Sequence, residues 1–386
     1  MDYNEQVNQV KDVIENLIHE NEEGSSVYPR QLSQDEQSKT AQQYFESTGH
    51  HIEFINAGDM FDFECQRCGK CCMGREDIIM NPLDIFHIAQ ATGETTEEVC
   101  KKYTVLSIGP NSGLPILCLK TDSRNWCSFL ELDVAAGGKF KCSIDRYKPG
   151  ACRNHPIGIM MGFEKKDPNA RLDENMQYTE NYIMVDQCGN SRGHNHMNRV
   201  DDWVGNTLST PEERKMAHIL SLGPSYILEL PKLYAMIVNA VMVLSTIGMG
   251  KFDEFFEGED KNDIINKVKG LNRGDGTFTG TLIWYTDYVK EIVESLMHTI
   301  YYDYDASQDY VQQAKKNWKI LETKMIEVKN EYDLLYQFMV NDLHFDKRSI
   351  FSMPDGATLQ QAVNIALEVR EIMIREKEGL ENALES

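Results

Sequence analysis

The chain has 386 residues, enough to bury at least one sizeable core and to divide into two or three domains. Its 61 Asp and Glu outweigh 39 Lys and Arg, giving a formal net charge of -22. A surface this acidic repels phosphate backbones, and no Lys/Arg-rich run supplies the basic patch that nucleic-acid binding needs.

In chain order, Val7, Val10, Val13, Ile14, Leu17 and Ile18 mark one face of an amphipathic helix over residues 1–24. A second, polar helix is expected over about 33–47. Residues 1–50 therefore read as a helical arm that packs on later helices. Met1-Asp2-Tyr3-Asn4-Glu5 has neither the basic nor the apolar region of an export signal. Ten cysteines without such a signal point to a reducing, cytoplasmic setting, where thiols serve metals rather than disulfides.

The densest chemistry lies in Cys65-Gln66-Arg67-Cys68-Gly69-Lys70-Cys71-Cys72, spaced C-x2-C-x2-C-C. Clustered thiolates suit zinc, copper(I) and iron–sulfur clusters, whereas hard cations avoid them. Cysteines at i, i+3 and i+6 can turn inward around one centre if the backbone loops tightly, and Gly69 permits that loop. Bacterial ferredoxins use a similar run of three with a further cysteine followed by proline.

Asn81-Pro82-Leu83-Asp84 then has the form of a helix start, with Asn as N-cap, Pro at the first position and an acid in the first turn. Ile85, Phe86, Ile88 and Ala89 supply the helix's apolar face, and His87 reads as a packed or surface residue rather than a ligand. Gly93 ends this helix, and Thr95/Thr96 with Glu97/Glu98 open another that carries Cys100 as a packed thiol. Strands are expected at Thr104–Ile108, Pro115–Lys120, Trp126–Leu130 and Lys139–Ile144, with Ala135-Ala136-Gly137-Gly138 as the last turn. On that reading Cys127 and Cys142 oppose each other across a hairpin and face one site. Cys118 lies one strand earlier. Cys152, in the rigid Pro149-Gly150-Ala151-Cys152-Arg153 segment, and Cys188 complete the candidates, and Arg153 favours the Cys152 thiolate.

These residues resemble the YkgJ-type cysteine-cluster family, a zinc- or iron-chelating group. The resemblance rests on Cys65-x2-Cys68-Gly69-x-Cys71-Cys72, the helix with Asp84, Cys127-x-Phe129-Leu130, Cys142-x-Ile144 and Pro149-x2-Cys152-Arg153-x2-Pro156. It covers about residues 60–190, with Tyr147-Lys148-Pro149 in place of the usual Arg-Pro and His155 where an aromatic is usual. It implies Cys65, Cys68, Cys71, Cys72, Cys127, Cys142, Cys152 and Cys188 as metal ligands. Flagellin lysine N-methylase relatives imply an iron–sulfur cluster, a protein substrate or redox partner and, by resemblance only, S-adenosylmethionine. The chain itself has neither the C-x3-C-x2-C radical signature nor a Rossmann-type glycine loop. Two readings stay open: an iron–sulfur (4Fe-4S) protein acting in redox or methyl transfer, and a zinc-binding structural or metal-delivery module. His155 is either a nitrogen donor or a stacked ring, the latter preferred. His194 and His196 read as a solvated loop.

Cysteine disappears after Cys188 and helical spacing takes over. Thr210-Pro211-Glu212-Glu213 is a helix start. Leu233 to Gly250 carries no charge and is long enough to consider a membrane span, but Asn239, Ser245, Thr246 and Gly248 favour a buried core helix. A Gly-rich linker or hairpin is expected at 272–280, and helices at about 281–301, 306–340 and 357–384. In the middle one Tyr310, Trp318, Leu321, Met325, Val328, Tyr332, Leu335 and Phe338 form a core stripe. Asp303-Tyr304-Asp305 fails as a calcium loop, because Gln308 and Ala314 stand where glycine and the closing acid belong. The expected whole is a mostly helical α+β protein: an arm over 1–50, a cysteine-cluster domain over 51–200 and a helical domain over 201–386. An interaction scaffold built on the acidic helices is the default third role.

Overall fold

The computed structural model describes residues 52–384 apart from 76–77, 111, 165–176, 186–192, 206–207, 249–259, 271–277, 348 and 354–356. The two expected N-terminal helices, Cys188 and most of the Gly-rich stretch fall outside the described residues. The fold is α+β, with short antiparallel strands in the first half and long helices in the second.

The strand-rich part begins with β1 (Ile52–Ile55), β2 (Met60–Asp62) and β3 (Ile79–Met80). Helix α1 (Pro82–Thr92) follows, capped as its sequence requires. Asn81 Oδ1 accepts from Asp84 N at 2.9 Å, while Asp84 Oδ2 accepts from Asn81 N at 3.0 Å. Gly93 closes it at φ 72°, where a side chain would be strained. Thr95 and Glu98 form the same reciprocal box on α2 (Thr96–Tyr103). Next come β4 (Thr104–Ile108), β5 (Pro115–Leu119), β6 (Leu130–Asp133) and β7 (Lys139–Cys142). The short helix α3 (Gly150–Arg153) precedes β8 (Ile157–Glu164), β9 (Gln177–Val185) and β10 (Met197–Arg199). The sheets are β1-β9-β8, β10-β2, β3-β5-β4 and β6-β7. Strands β8 and β9 were not expected, although Tyr178-Thr179 and Tyr182-Ile183-Met184-Val185 carry the aromatic and β-branched residues that favour strands.

The helical part comprises α4 (Val200–Gly205), α5 (Pro211–Leu228), α6 (Leu230–Gly248), α7 (Lys261–Gly270), α8 (Phe278–Met297), α9 (Tyr310–Gln337) and α10 (Leu359–Leu384). Single π-helical turns extend α8 and α9. Helix α8 starts at Phe278, so the end of the stretch expected as a glycine-rich linker is already helical. Thr210 caps α5 with Glu213. Helix α6 is the one described helix long and apolar enough to cross a membrane, and 83% of that window is buried against other helices. Most of the expected stripe on α9 lies inside: Tyr310, Trp318, Leu321, Met325, Val328 and Leu335 are buried, as is Phe338 just beyond, whereas Tyr332 is half-buried.

One apolar core runs through both parts. Ile85 and Ile88 of α1 and Leu117 of β5 join Leu220 of α5, Leu244 of α6 and Leu321 of α9. A smaller core unites Phe61, Phe63, Ile157, Val200 and Val204. The cysteine run follows Phe63 of the small core, while Cys127, Cys142 and Cys152 pack on the large one.

Candidate metal centre

The chain leaves β2 through buried Phe63 and then folds sharply over the cysteines. Arg67 at φ 56° and Gly69 at φ 77° both take left-handed backbone, and Cys72 N donates to Gly69 O at 2.9 Å to close a tight turn over Lys70–Cys72. Gly69 is demanded twice: a Cβ there would also lie 2.8 Å from the Phe140 ring. Arg67 pins this turn to the β6-β7 hairpin. Its Nε donates to Phe140 O at 2.9 Å, its Nη2 reaches Asp133 Oδ2 at 2.7 Å, and Phe140 N returns a bond to Arg67 O at 2.9 Å.

Backbone pairing carries the next thiol alongside. Met73 bridges Trp126, and Cys127 N donates to Cys72 O at 2.9 Å. The expected hairpin is shifted: Cys142 pairs with Leu130 rather than Cys127, which precedes the strand and bridges Thr121. Asp122 causes the offset, because its carboxylate accepts from Arg124 N and Trp126 N and holds residues 122–126 as a turn. A turn from Cys127 O to Leu130 N still leaves Cys127 next to the start of β6. Cys152 arrives on α3, which is tied to α1 by a 2.7 Å bond from Gly150 N to Asp84 Oδ1.

The thiols respond to one another. Cys71 and Cys72 lie 3.9 Å apart at sulfur, and the Cys72 thiol lowers Cys71 below its ordinary value by donating to it, with Arg75 and Lys148 adding positive charge. The same bond raises Cys72, as do burial and the charges of Cys152 and Cys127. Burial pushes Cys142 up to about 11 and raises Cys127 and Cys152, and Cys152 also feels Cys127, Cys142 and Cys71. Five thiols thus share one electrostatic neighbourhood. Cys65 is exposed, yet it acts with Cys142 on the ammonium of Lys148; Cys68 is half-buried on the same turn. The nine described cysteines are all free thiols.

Thiols gathered this closely, most of them held above their ordinary pKa, fit a soft metal ion, whose charge would drive their ionisation. They form a neighbourhood and not a finished cage: among the described residues no group of three or more Cys, His, Asp or Glu converges to hold an ion. Cys100 and Cys118 stay apart. Cys100 is buried on α2 and pushed up to about 12, and Cys118 pairs with Ile79 and Val105 across the β3-β5-β4 sheet.

The histidines divide as their surroundings dictate. His155 packs edge-on to Phe63 at 5.5 Å between ring centres, in keeping with the stacking reading. His194 and His196 lie on a loop wrapped around Asp62, whose carboxylate accepts from Gly193 N, Asn195 N and His196 N. His87 is buried, and its pKa is lowered to about 4 by burial and by Arg153. The sequence reading missed Arg67 and Lys148. A cation between two cysteines and another just before Pro149 were the signals available.

Residues 64–188 match the CxxCxxCC family, described as "Putative zinc- or iron-chelating domain". The match covers about a third of the chain, and this segment is similar to that family. The chelating domain so defined spans the cysteine turn, the β6-β7 hairpin, α3 and the β8-β9 pair. No curated protein and no solved structure matches the chain.

Proposed function

We propose that the chelating domain holds iron as an iron–sulfur cluster, a 4Fe-4S cluster by preference. Its candidate ligands come from Cys65, Cys68, Cys71, Cys72, Cys127, Cys142, Cys152 and Cys188. The observation that carries this reading is the mutual charge coupling of Cys71, Cys72, Cys127, Cys142 and Cys152 on three separate segments. Five thiols exceed what one tetrahedral zinc site uses. A cubane also takes four, so the fifth thiol stands beside the ligands or belongs to a second centre, and the preference for iron–sulfur rests on the C-x2-C-x2-C run that bacterial ferredoxins also use.

When bound, such a cluster supplies one-electron chemistry or, at an iron left free of protein, a site for a methyl donor. The chain's own residues prepare the surroundings. Lys148 and Arg75 offset thiolate charge around Cys71, while Met73, Trp126 and Phe140 cover the turn and limit water. A redox or methyl-transfer role would be exercised on a protein partner, in a reducing, cytoplasmic setting that keeps the thiols free.

The test is iron, zinc and acid-labile sulfide content, with an absorption spectrum, on protein purified without oxygen. Iron with matching sulfide and absorption near about 400 nm is expected. Zinc without sulfide would sink the iron–sulfur reading and leave a structural or metal-delivery module. Cys68→Ala and Cys152→Ala are each expected to lose the metal, whereas Cys100→Ala keeps it.

A further inference from the structure

At the end of α3, next to Cys152 and within the field of Arg214 and Glu213 of α5, several buried polar atoms have hydrogen bonds that do not close. Arg153 is the last residue of α3, and its Nε and Nη1 are buried with no partner. Leaving guanidinium N–H groups unpaired away from water costs more than leaving a neutral amide unpaired. The acids around it are all engaged elsewhere. Asp84 takes Gly150 N on Oδ1 at 2.7 Å and Asn81 N on Oδ2 at 3.0 Å. Glu213 closes the α5 cap on Thr210. Glu180 takes Arg214 through Nε at 2.7 Å and Nη2 at 3.1 Å, and also the hydroxyls of Tyr178 and Tyr182.

Arg214 stands close enough to oppose the Arg153 charge, and its own donors are spent on Glu180 and on Ser209 O at 2.8 Å. Two side chains complete the pattern. His87 is 2% exposed, one turn after Asp84 and within the field of Arg153, and its Nδ1 has no partner. Asn154 is 7% exposed and its Oδ1 is also unpartnered, although its backbone oxygen accepts from Trp203 Nε1 at 2.9 Å.

We propose that Arg153, with His87 and Asn154, forms a binding site for a small oxyanion, a carboxylate or phosphate group, in the seam between the thiols and α5. Two neighbouring guanidinium groups repel a metal cation, so the missing partner is an anion. A planar or tetrahedral oxyanion accepts from Arg153 Nε with charge assistance, while Nη1, on the opposite edge of the guanidinium, is left to water. A neutral His87 donates from Nδ1 in the tautomer that places its proton there. The Asn154 amide presents either its oxygen or, turned over, its NH2 group. The site goes beyond the metal reading and does not rest on it.

The experiment follows the arginine Nε–H resonances of the full chain, labelled with 15N-arginine, during titration with sodium acetate or sodium phosphate. Sodium chloride at equal ionic strength is the control, and protein is used both metal-loaded and after chelation. A saturable shift of the Arg153 resonance, assigned by its loss in Arg153→Lys, is expected with at least one anion. Acetate saturating first names a carboxylate, and phosphate saturating first names a phosphate. Shifts no different from chloride with both anions, in either metal state, overturn the proposal and leave water as the partner of Arg153. If Arg153→Lys does not fold, His87→Gln, expected to weaken saturation several-fold, takes its place. Metal content is read separately, so a failed metal assignment and a failed anion site give different results.

Discussion

The thiol region and the helical region obey different rules. Around Cys65–Cys152 the chain is held by single backbone bonds, left-handed residues and one arginine anchor, and large apolar residues such as Ile79, Val105, Leu132 and Val134 stay exposed. Between α5 and α10 the chain is held by buried side chains, with Leu233, Ala235, Met236, Ile237, Ala240 and Leu244 of α6 fully inside. The first arrangement positions thiols without closing them on an ion. The second is complete in itself, because apolar burial needs no partner from outside. The two nonetheless share a core through α1 and β5, so the thiols rest on a rigid wall.

Substitutions can break or sharpen this contrast. The largest effect is expected at the join, where Arg214 and Glu180 form a doubly bonded pair with each side chain 11% exposed. Arg214→Met should cost about 3–5 kcal/mol in urea unfolding, because it leaves the Glu180 carboxylate buried alone. Changing both partners to Met should cost much less. Within the helical region, Leu244→Ala should cost about 2–5 kcal/mol and leave metal content unchanged. The thiol region should respond in the opposite way. Gly69→Ala forces a side chain into left-handed backbone and against Phe140, a strain of about 1–3 kcal/mol, and should lower metal occupancy more than global stability. Equal losses of both would mean that the two regions do not differ as described.

Acidity offers a subtler probe. Burial lowers both His87 and His218 to about 4, so in the fold they stay neutral down to that pH while the unfolded chain takes up protons from about 6.5. Their contribution is full above about 6.5 and is lost as pH falls toward about 4, by up to about 1.4 kcal/mol per pH unit for each histidine. Burial raises the carboxyl of Asp84, which works in the opposite direction at lower pH. The urea midpoint followed downward from neutral pH checks the slope, and His87→Gln should remove about half of it. The smallest effect belongs to a local device: Thr210→Ala removes the α5 cap and should cost about 1 kcal/mol.

What the sequence determined by itself was the local part of the design. Asn81-Pro82-x-Asp84, Thr95 with Glu98 and Thr210 with Glu213 are legible as caps because their partners stand three residues apart. The close cysteine spacing and Gly69 announced a turn and a soft-metal chemistry for the same reason, and the spacing on α9 announced its buried face. Tertiary structure alone decided which thiols became neighbours. It shifted Cys142 opposite Leu130, brought Cys152 to Asp84 through Gly150, and drew His196 to Asp62 across 134 residues. It also set β1 against β9 and left Arg153 with two unpaired donors. Contacts between distant parts of a chain close long loops at an entropic cost that only packing elsewhere repays, so no local pattern marks their ends in advance.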